Sequence, residues 1–385
     1  MRILHVINYF QPQLGYQETF LAKMHSEMKN DVYVLTSDRY DPYLFRGNTA
    51  IKILGDRIKG SGFFIEEGIK TIRLKSYFET SYTIWLVGLE KKILELDPDI
   101  VYVHGIPSIS AIRIGNLKLK HSNFKLIYDD HATLDNSKSK LYPIFKLLFS
   151  GMINAAGDAF VGILPDTKDF MNKKYGIPRK SIHIIPLGAD VDSFKFNLAS
   201  RQEIRHIFQL SDDDITFIYT GKIIPLRRLD ILIDAIKIIK KNELIKVILL
   251  GDGSPEYVKE LKKQIEYNNF NSKFVWHPAV PNKQLPKYYS AADVAVWPFG
   301  SSAGILEAMS CGLPIILSEK SMVTELIRNG NGFLFKEDAA DLALQMEKLL
   351  DIKLIKDMGL KSRKLAVEEL SWKGIAKRYL DIADQ

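Results

Sequence analysis

The sequence predicts an α/β protein built from two similar halves, each a Rossmann-like unit of parallel strands alternating with helices. Three observations carry this. Apolar runs of strand length recur along the 385 residues, and most are followed by a turn and a helical pattern. The first run is continuously apolar rather than alternating, the type found in parallel sheets covered on both faces. The alternation pauses in a polar helical stretch at 195–213 and then begins again.

In the first half, residues 2–9 are a strand and Phe10 to Gly15 a loop. Gln17 to Met28 is an amphipathic helix, and Asp31 to Thr36 is the second strand. Gly15 is the lone glycine of that first loop, so the dinucleotide fingerprint is missing, which argues against a nicotinamide or flavin enzyme. Residues 38–68 read as an inserted loop or hairpin. A strand at 69–74, a helix at about 82–96 and strands at 97–104 and 125–131 follow, then an apolar helix at 141–156. A strand from Asp158, a helix through Tyr175 and the run from Ser181 to Phe194 close the half.

The second half repeats the pattern. Strands begin at Ile215, Lys246, Phe274 and Asp293, with helices at 229–240, 255–268 and 285–292 between them. A helix headed by Glu325, helices at 339–350 and 354–369, and a last helix to Asp384 complete the chain.

Apolar content of 46% and charged content of 26% are those of a water-soluble globular protein. No apolar run reaches the roughly 18 residues that span a bilayer. The first residues enter a strand pattern and lack a signal-peptide layout. One cysteine, Cys311, excludes an internal disulfide and a cysteine metal cluster. A cytoplasmic protein is the expectation. The net charge of +7 favours anionic partners, though a generally Lys-rich surface accounts for it as well. No basic helix with interleaved aromatics supports nucleic-acid binding.

The stretch from Trp297 to Ile316 is the most informative. A strand runs into a Gly/Ser loop and then into a helix. Ser301, Ser302, Ala303, Gly304 and Ile305 would present free backbone N–H groups at a helix N-terminus, which suits a phosphate. Glu307, one turn in, has two acceptor oxygens that fit a vicinal diol such as a ribose; it could equally serve the helix dipole. Gly221, Lys222, Arg227 and Arg228 form a loop with three cations, suited to a departing diphosphate. His131 follows Asp129 and Asp130 at a strand end, where open α/β sheets place their sites, and the two carboxylates would orient it or keep it charged. His104 is similarly placed. Adjacent strand residues point to opposite faces, so this trio is not a metal site, and neither metal nor cofactor is expected. The apolar helix at 141–156 neighbours Lys118, Lys120, Lys125, Lys138 and Lys140. It reads either as a core helix or as a face for an anionic membrane.

The run G-x-LEAM-x-C-G-L-P-I-I, at Gly304 to Ile316 with its flanks, resembles the core motif of the retaining glycosyltransferases of the GT-B fold, in the group 1, family 4 class. The loop Gly221-Lys222 to Arg227-Arg228 is similar to that family's G-R-x(4)-K-G, with Arg228 at the final Gly place. Leu187 to Phe194, Gly251-Asp-Gly253 and Gly330-Asn-Gly332-Phe-Leu resemble further elements of it. The resemblance implies two domains facing across a cleft: 1–195 on the acceptor side, joined by a returning helix at 371–385, and 196–370 binding the nucleotide sugar. It assigns the ribose to Glu307, the diphosphate to the backbone before it and to Lys222 and Arg227, and the donor's phosphate and sugar to Gly15. It places His131 near the donor sugar and acceptor, and the loop after 274–280 under the base.

The implied activity is hexosyl transfer from a nucleotide sugar, UDP-linked in preference to GDP-linked, to a glycan or lipid-linked acceptor in surface polysaccharide or glycolipid synthesis. The family's earlier Glu is replaced by Phe299, which cannot hold sugar hydroxyls. That departure keeps a non-catalytic sugar-nucleotide-binding subunit open as an alternative. A nucleotide-sugar epimerase would need a carboxylate pair that the sequence does not offer.

Overall fold

A computed structural model of the chain describes residues 1–46, 54–80, 84–121, 123–134 and 139–384. It divides into two compact units, Met1–Leu187 with Trp372–Gln385, and Gly188–Ser371.

The first unit contains β1 (Arg2–Ile7), α1 (Gln17–Glu27), β2 (Asp31–Ser37), β3 (Gly62–Glu66), β4 (Ile69–Leu74), β5 (Ser76–Glu79), β6 (Ile84–Leu86), α2 (Leu89–Leu96), β7 (Ile100–His104), α3 (Ile109–Lys120), β8 (Lys125–Asp130), α4 (Tyr142–Ala156), β9 (Ala159–Gly162), α5 (Pro165–Phe170) and β10 (Ile182–Ile184). Eight strands form one sheet in the order β10-β9-β8-β7-β1-β2-β4-β3. Only β3 runs antiparallel, paired with β4. Period-2 alternation sends Leu4, Val6, Val101 and Val103 to a core under α3 and α4. Ile3, Val32, Ile100 and Tyr102 go to the opposite face, covered by α1 and the C-terminal helix Trp372–Ala383.

The second unit contains α6 (Leu198–Ile207), β11 (Ile215–Thr220), α7 (Leu229–Ile238), β12 (Ile245–Leu250), α8 (Pro255–Tyr267), β13 (Phe274–His277), α9 (Leu285–Ala291), β14 (Val294–Trp297), α10 (Ala303–Ser310), β15 (Ile315–Ser318), β16 (Gly332–Phe335), α11 (Ala339–Lys348) and α12 (Ile352–Glu369). Its six strands are all parallel, in the doubly wound order β13-β12-β11-β14-β15-β16. The order reverses between β11 and β14, so the loops after these two strands diverge and leave a crevice.

Three expectations change, and one helix is added. The boundary falls after Leu187 rather than residue 195, because the following residues are held by the second unit. Ala189 N–H donates to Leu370 O (2.7 Å), and Arg363 Nη1 donates to Val191 O (2.9 Å) and Phe194 O (3.0 Å). The helix expected from about 82 begins only after Gly88, whose φ of 73° breaks it off from the strand Ile84–Leu86 that pairs with β5; residues 82 and 83 lie outside the described residues. The helix headed by Glu325 is one 3-10 turn, Thr324–Leu326. The buried Asn331 side chain donates to Leu326 O (2.9 Å) and accepts from Arg328 N–H (2.9 Å), turning the chain away. Helix α3, capped by Ser108 Oγ accepting from Ala111 N–H, was not anticipated.

Candidate functional site: a cavity in the second unit

A cavity of about 360 Å³ lies at the C-terminal ends of β11, β12 and β14, at the point where strand order reverses. It is lined by Gly221 and Lys222 after β11, Gly251 and Asp252 after β12, Ala279 and Val280 after β13, and Ser302, Ala303, Gly304 and Glu307 from the start of α10. Ser301, Ile305 and Arg227 do not line it. Ile305 is fully buried.

Backbone closeness shapes the floor. Gly251 has a φ of 154°, and a Cβ there would collide with the Gly221 carbonyl oxygen. A Cβ on Gly304 would press on Thr220 Oγ1 and Tyr289 OH, so glycine lets α10 sit against the end of β11. Trp297 fills the space beneath, fully buried, its Nε1–H donating to Thr220 O (3.0 Å).

The helix N-terminus is less open than the sequence implied. Ser302 is the N-cap: its Oγ accepts from Gly304 N–H (3.2 Å) and its carbonyl from Ile305 N–H (3.1 Å). Two of the first-turn amides are thus already occupied by Ser302.

Glu307 is not in the first turn of α10, which carries no acidic residue, so the dipole reading fails. Its Oε1 accepts from Asn282 Nδ2 (2.7 Å) and its Oε2 from Tyr289 OH (3.2 Å). Tyr289 OH in turn meets Thr220 Oγ1 at 2.7 Å. Burial pushes the Glu307 carboxyl above the usual range, and the bonds from Asn282 and Tyr289 oppose this without cancelling it. Each oxygen keeps a lone pair for a hydroxyl donor. Asn282 and Tyr289 lie on other elements, and nothing in the local sequence marked them.

Lys222 has an exposed side chain, and its carbonyl accepts from Tyr219 OH (2.7 Å). Arg227 ends a 3-10 turn and lies against the Phe299–Gly300 loop, where Nη1 donates to Phe299 O (3.4 Å). Gly300, with a φ of 80°, has no room for a Cβ beneath that guanidinium. Arg228, at the family's glycine place, keeps the left-handed backbone (φ 50°) that glycine would adopt freely, and pairs with Asp230 (3.1 Å).

Gly15 and His131 belong to the first unit. Gly15 has a φ of 66° and ends a short 3-10 turn, its N–H donating to Pro12 O (3.2 Å). His131 is exposed immediately after β8. The adjacent carboxylates serve other groups. Asp129 is bonded to His104 Nδ1 (2.8 Å), and Asp130 accepts from Ile106 N–H (3.2 Å), Ala132 N–H (2.8 Å) and Tyr175 OH (3.2 Å). The histidine that the aspartate orients is therefore His104, not His131. Among the described residues no group of His, Cys, Asp and Glu is arranged to hold a metal ion.

Comparison with known proteins follows the two units. The family profile described as glycosyl transferases group 1 matches residues 200–365, and that described as glycosyltransferase family 4 matches residues 20–193. A D-inositol 3-phosphate glycosyltransferase of Xylanimonas cellulosilytica is 26% identical over 202 residues, covering 50% of this chain and 48% of that protein. The chain thus spans about half the length of this relative, and likewise 53% of a mannosylfructose-phosphate synthase of Agrobacterium fabrum, at 28% identity over 59% of this chain. An uncharacterised glycosyltransferase of Methanocaldococcus jannaschii, MJ1069, is 23% identical over 98% of this chain and 96% of its own. Among solved structures, Anabaena Alr3699/HepE in complex with UDP superposes with a TM-score of 0.73 at 16% identity, over 100% of both chains.

Two outcomes are expected. Arg228→Gly relieves the left-handed strain and stabilises the protein by about 1 kcal/mol, since the exposed ion pair it gives up is worth less; an unchanged or lower melting temperature would contradict the strain. Glu307→Gln raises the melting temperature of the protein at pH 7. A carboxyl whose folded pKa is raised binds more protons folded than unfolded, so its cost to stability grows as pH rises through that raised value. The stability gap between variant and parent therefore narrows at pH 5, and a gap independent of pH would refute it.

Proposed function

The chain belongs to the group 1, family 4 glycosyltransferases, and from that premise we propose that it transfers a hexose from a nucleotide sugar to an acceptor hydroxyl with retention of configuration. One observation carries the reading: the only anion-suited loops of the second unit singled out by sequence, Gly221-Lys222 and Ser302–Gly304, share one cavity with the carboxylate of Glu307. Glu307 accepts from the ribose hydroxyls, while the backbone of Ala279 and Val280 meets the base edge. Lys222 in the cavity balances the diphosphate, and Arg227, outside the lining, adds its charge from the Phe299–Gly300 loop, as the bond from the sugar's anomeric carbon to the phosphate oxygen breaks. The acceptor oxygen forms the new bond to that carbon, and its proton leaves with the diphosphate. His131, exposed at a strand end, serves the sugar and acceptor side. A UDP-linked donor is favoured over a GDP-linked one, in line with the UDP held by HepE.

The acceptor is proposed to be a glycan or lipid-linked molecule of a surface polysaccharide or glycolipid, met at an anionic membrane. Helix α4 supports this. Phe145 and Ile153 face the core, whereas Leu147 is 84% exposed, Leu148 62% and Ile144 53%. Lys140 and Lys146 are exposed beside them. No helix among the described residues is long and apolar enough to cross a membrane. Lys118, by contrast, is paired with Asp158 (3.2 Å), and Lys138 lies outside the described residues.

Thermal shifts with nucleoside diphosphates and nucleotide sugars test the donor, and product formation with an acceptor tests the chemistry. A rise with one base, larger with one sugar, followed by transfer, is expected. Binding without transfer to any acceptor would favour a non-catalytic subunit instead. Lys222→Ala should lower kcat roughly 100-fold with a far smaller loss in donor affinity; equal losses would remove its role in the transition state. Vesicles of phosphatidylglycerol, but not phosphatidylcholine, should sediment the protein, and Leu147→Glu with Leu148→Glu should abolish this. Sedimentation unaffected by the pair of changes would rule out α4 as the docking face.

A further inference from the structure

Three histidines stand in a buried row on the face of the first sheet that α1 and the C-terminal helix cover. His5 on β1 and His25 on α1 are fully buried, and the His104 side chain at the end of β7 is 7% exposed. The contacts run in series. His25 Nε2 lies 3.0 Å from Ala376 O, and His25 Nδ1 lies 3.2 Å from His5 Nε2. His5 Nδ1 lies 3.0 Å from His104 Nε2, and His104 Nδ1 lies 2.8 Å from Asp129 Oδ2. The ring of Tyr102 stacks on His5 and His25 at 5.1 and 5.4 Å. A row with each nitrogen bonded to the next group is not a metal site, whose ligands converge on one point.

Counting protons decides its charge. Both ends of the row, the Ala376 carbonyl and the Asp129 carboxylate, are acceptors. The four contacts need four protons, and three neutral imidazoles supply three. Asp129 also takes Tyr379 OH (3.2 Å) and Gln17 Nε2 (3.4 Å), and three donors favour its ionised form. The fourth proton therefore sits on a ring. Beside the Asp129 carboxylate it is held best on His104, and Ala376 O keeps the single proton of a neutral His25 on Nε2, so Nδ1 accepts. His5 then donates from Nε2 and accepts at Nδ1, and His104 donates from both nitrogens.

We propose that His25, His5 and His104 form a one-proton clasp that ties the C-terminal helix to the first sheet and loosens when a second proton enters or the first leaves. A second proton would set N–H against N–H, and a missing one would set lone pair against lone pair. In either case the bond to Ala376, on the C-terminal helix, loses its support.

The surroundings agree. Burial holds His25 down to about 4 and His5 well below the usual value. Burial also works against His104, but the charge of Asp129 and its hydrogen bond raise it overall. The other titratable groups near the row are Glu18 on α1, pushed up to about 7 by burial; Asp129, Asp130 and His131 at the end of β8; Tyr102 on β7; and Tyr379 and Asp384 on the C-terminal helix. The signs follow. With His25 depressed when folded, stability is lost as pH falls from about 6.5 towards the folded value of about 4. With His104 raised, stability is lost as pH rises through its folded pKa. The clasp is strongest near neutrality.

Long-range proton–nitrogen spectra of the full chain labelled at histidine, taken at pH 7, test the assignment. His5 and His25 should be neutral with the proton on Nε2, and His104 should carry both protons. Three neutral rings would overturn the proposal. Hydrogen exchange of Trp372–Ala383, corrected for intrinsic rate, should lose up to about tenfold in protection per pH unit below 6.5, while β11 and β12 keep theirs. Equal loss in both units would also overturn it. Glu18→Gln should keep this pH dependence, separating the histidines from the glutamate. His5→Gln should abolish it, and if that variant does not fold, the spectra of the parent protein decide.

Discussion

At the C-terminal edge of the second sheet, main chain touches main chain. Gly251 packs on the Gly221 carbonyl, and Gly304 brings α10 onto the end of β11. Any side chain at these points would part the loops, and the crevice at the strand reversal would lose its floor. The rest of the site depends on this contact. Glu307 reaches the cavity only because α10 sits low, and Tyr289 reaches Glu307 because Thr220 fixes its hydroxyl. A carboxylate held half-buried between two donors is poorly stable on its own and well suited to bind hydroxyls.

The fold was legible because its signals are local. Apolar strand runs, glycine turns and the polar bridge near residue 200 all report on a few neighbouring residues. The cavity was legible for the same reason: Gly221, Lys222, Gly251, Ser302 to Gly304 and Glu307 sit at strand ends and helix starts, where pattern alone places them. What was not legible depends on pairs far apart in the chain. Asn282 and Tyr289 meet Glu307 from separate elements. Asp129 looked like a partner for His131, two residues on, yet its carboxylate meets His104, which stands opposite it on the neighbouring strand β7, 25 residues earlier. The domain boundary moved because Arg363 gathers the carbonyls of Val191, Phe194 and Ser310, a convergence no local pattern contains.

In the loop with Phe299 the backbone, not the side chain, places a cation. Arg227 meets the Phe299 carbonyl rather than its side chain, and Gly300 supplies the space for the guanidinium. The cation is therefore placed by main chain, independent of which residue occupies position 299. Arg228 illustrates the opposite case: the left-handed turn has been kept although a Cβ opposes it.

The first unit is closed by the last helix of the chain, and this imposes an order on folding. During synthesis, the face of the first sheet carrying Ile3, Val32 and Tyr102 cannot be covered until Trp372–Ala383 has been made. The second unit is continuous in sequence, from Gly188 to Ser371, and is complete before that helix is made. The half made first is thus completed last, and a chain that ends early leaves a large apolar face exposed, a substrate for chaperones and proteases rather than a shortened enzyme.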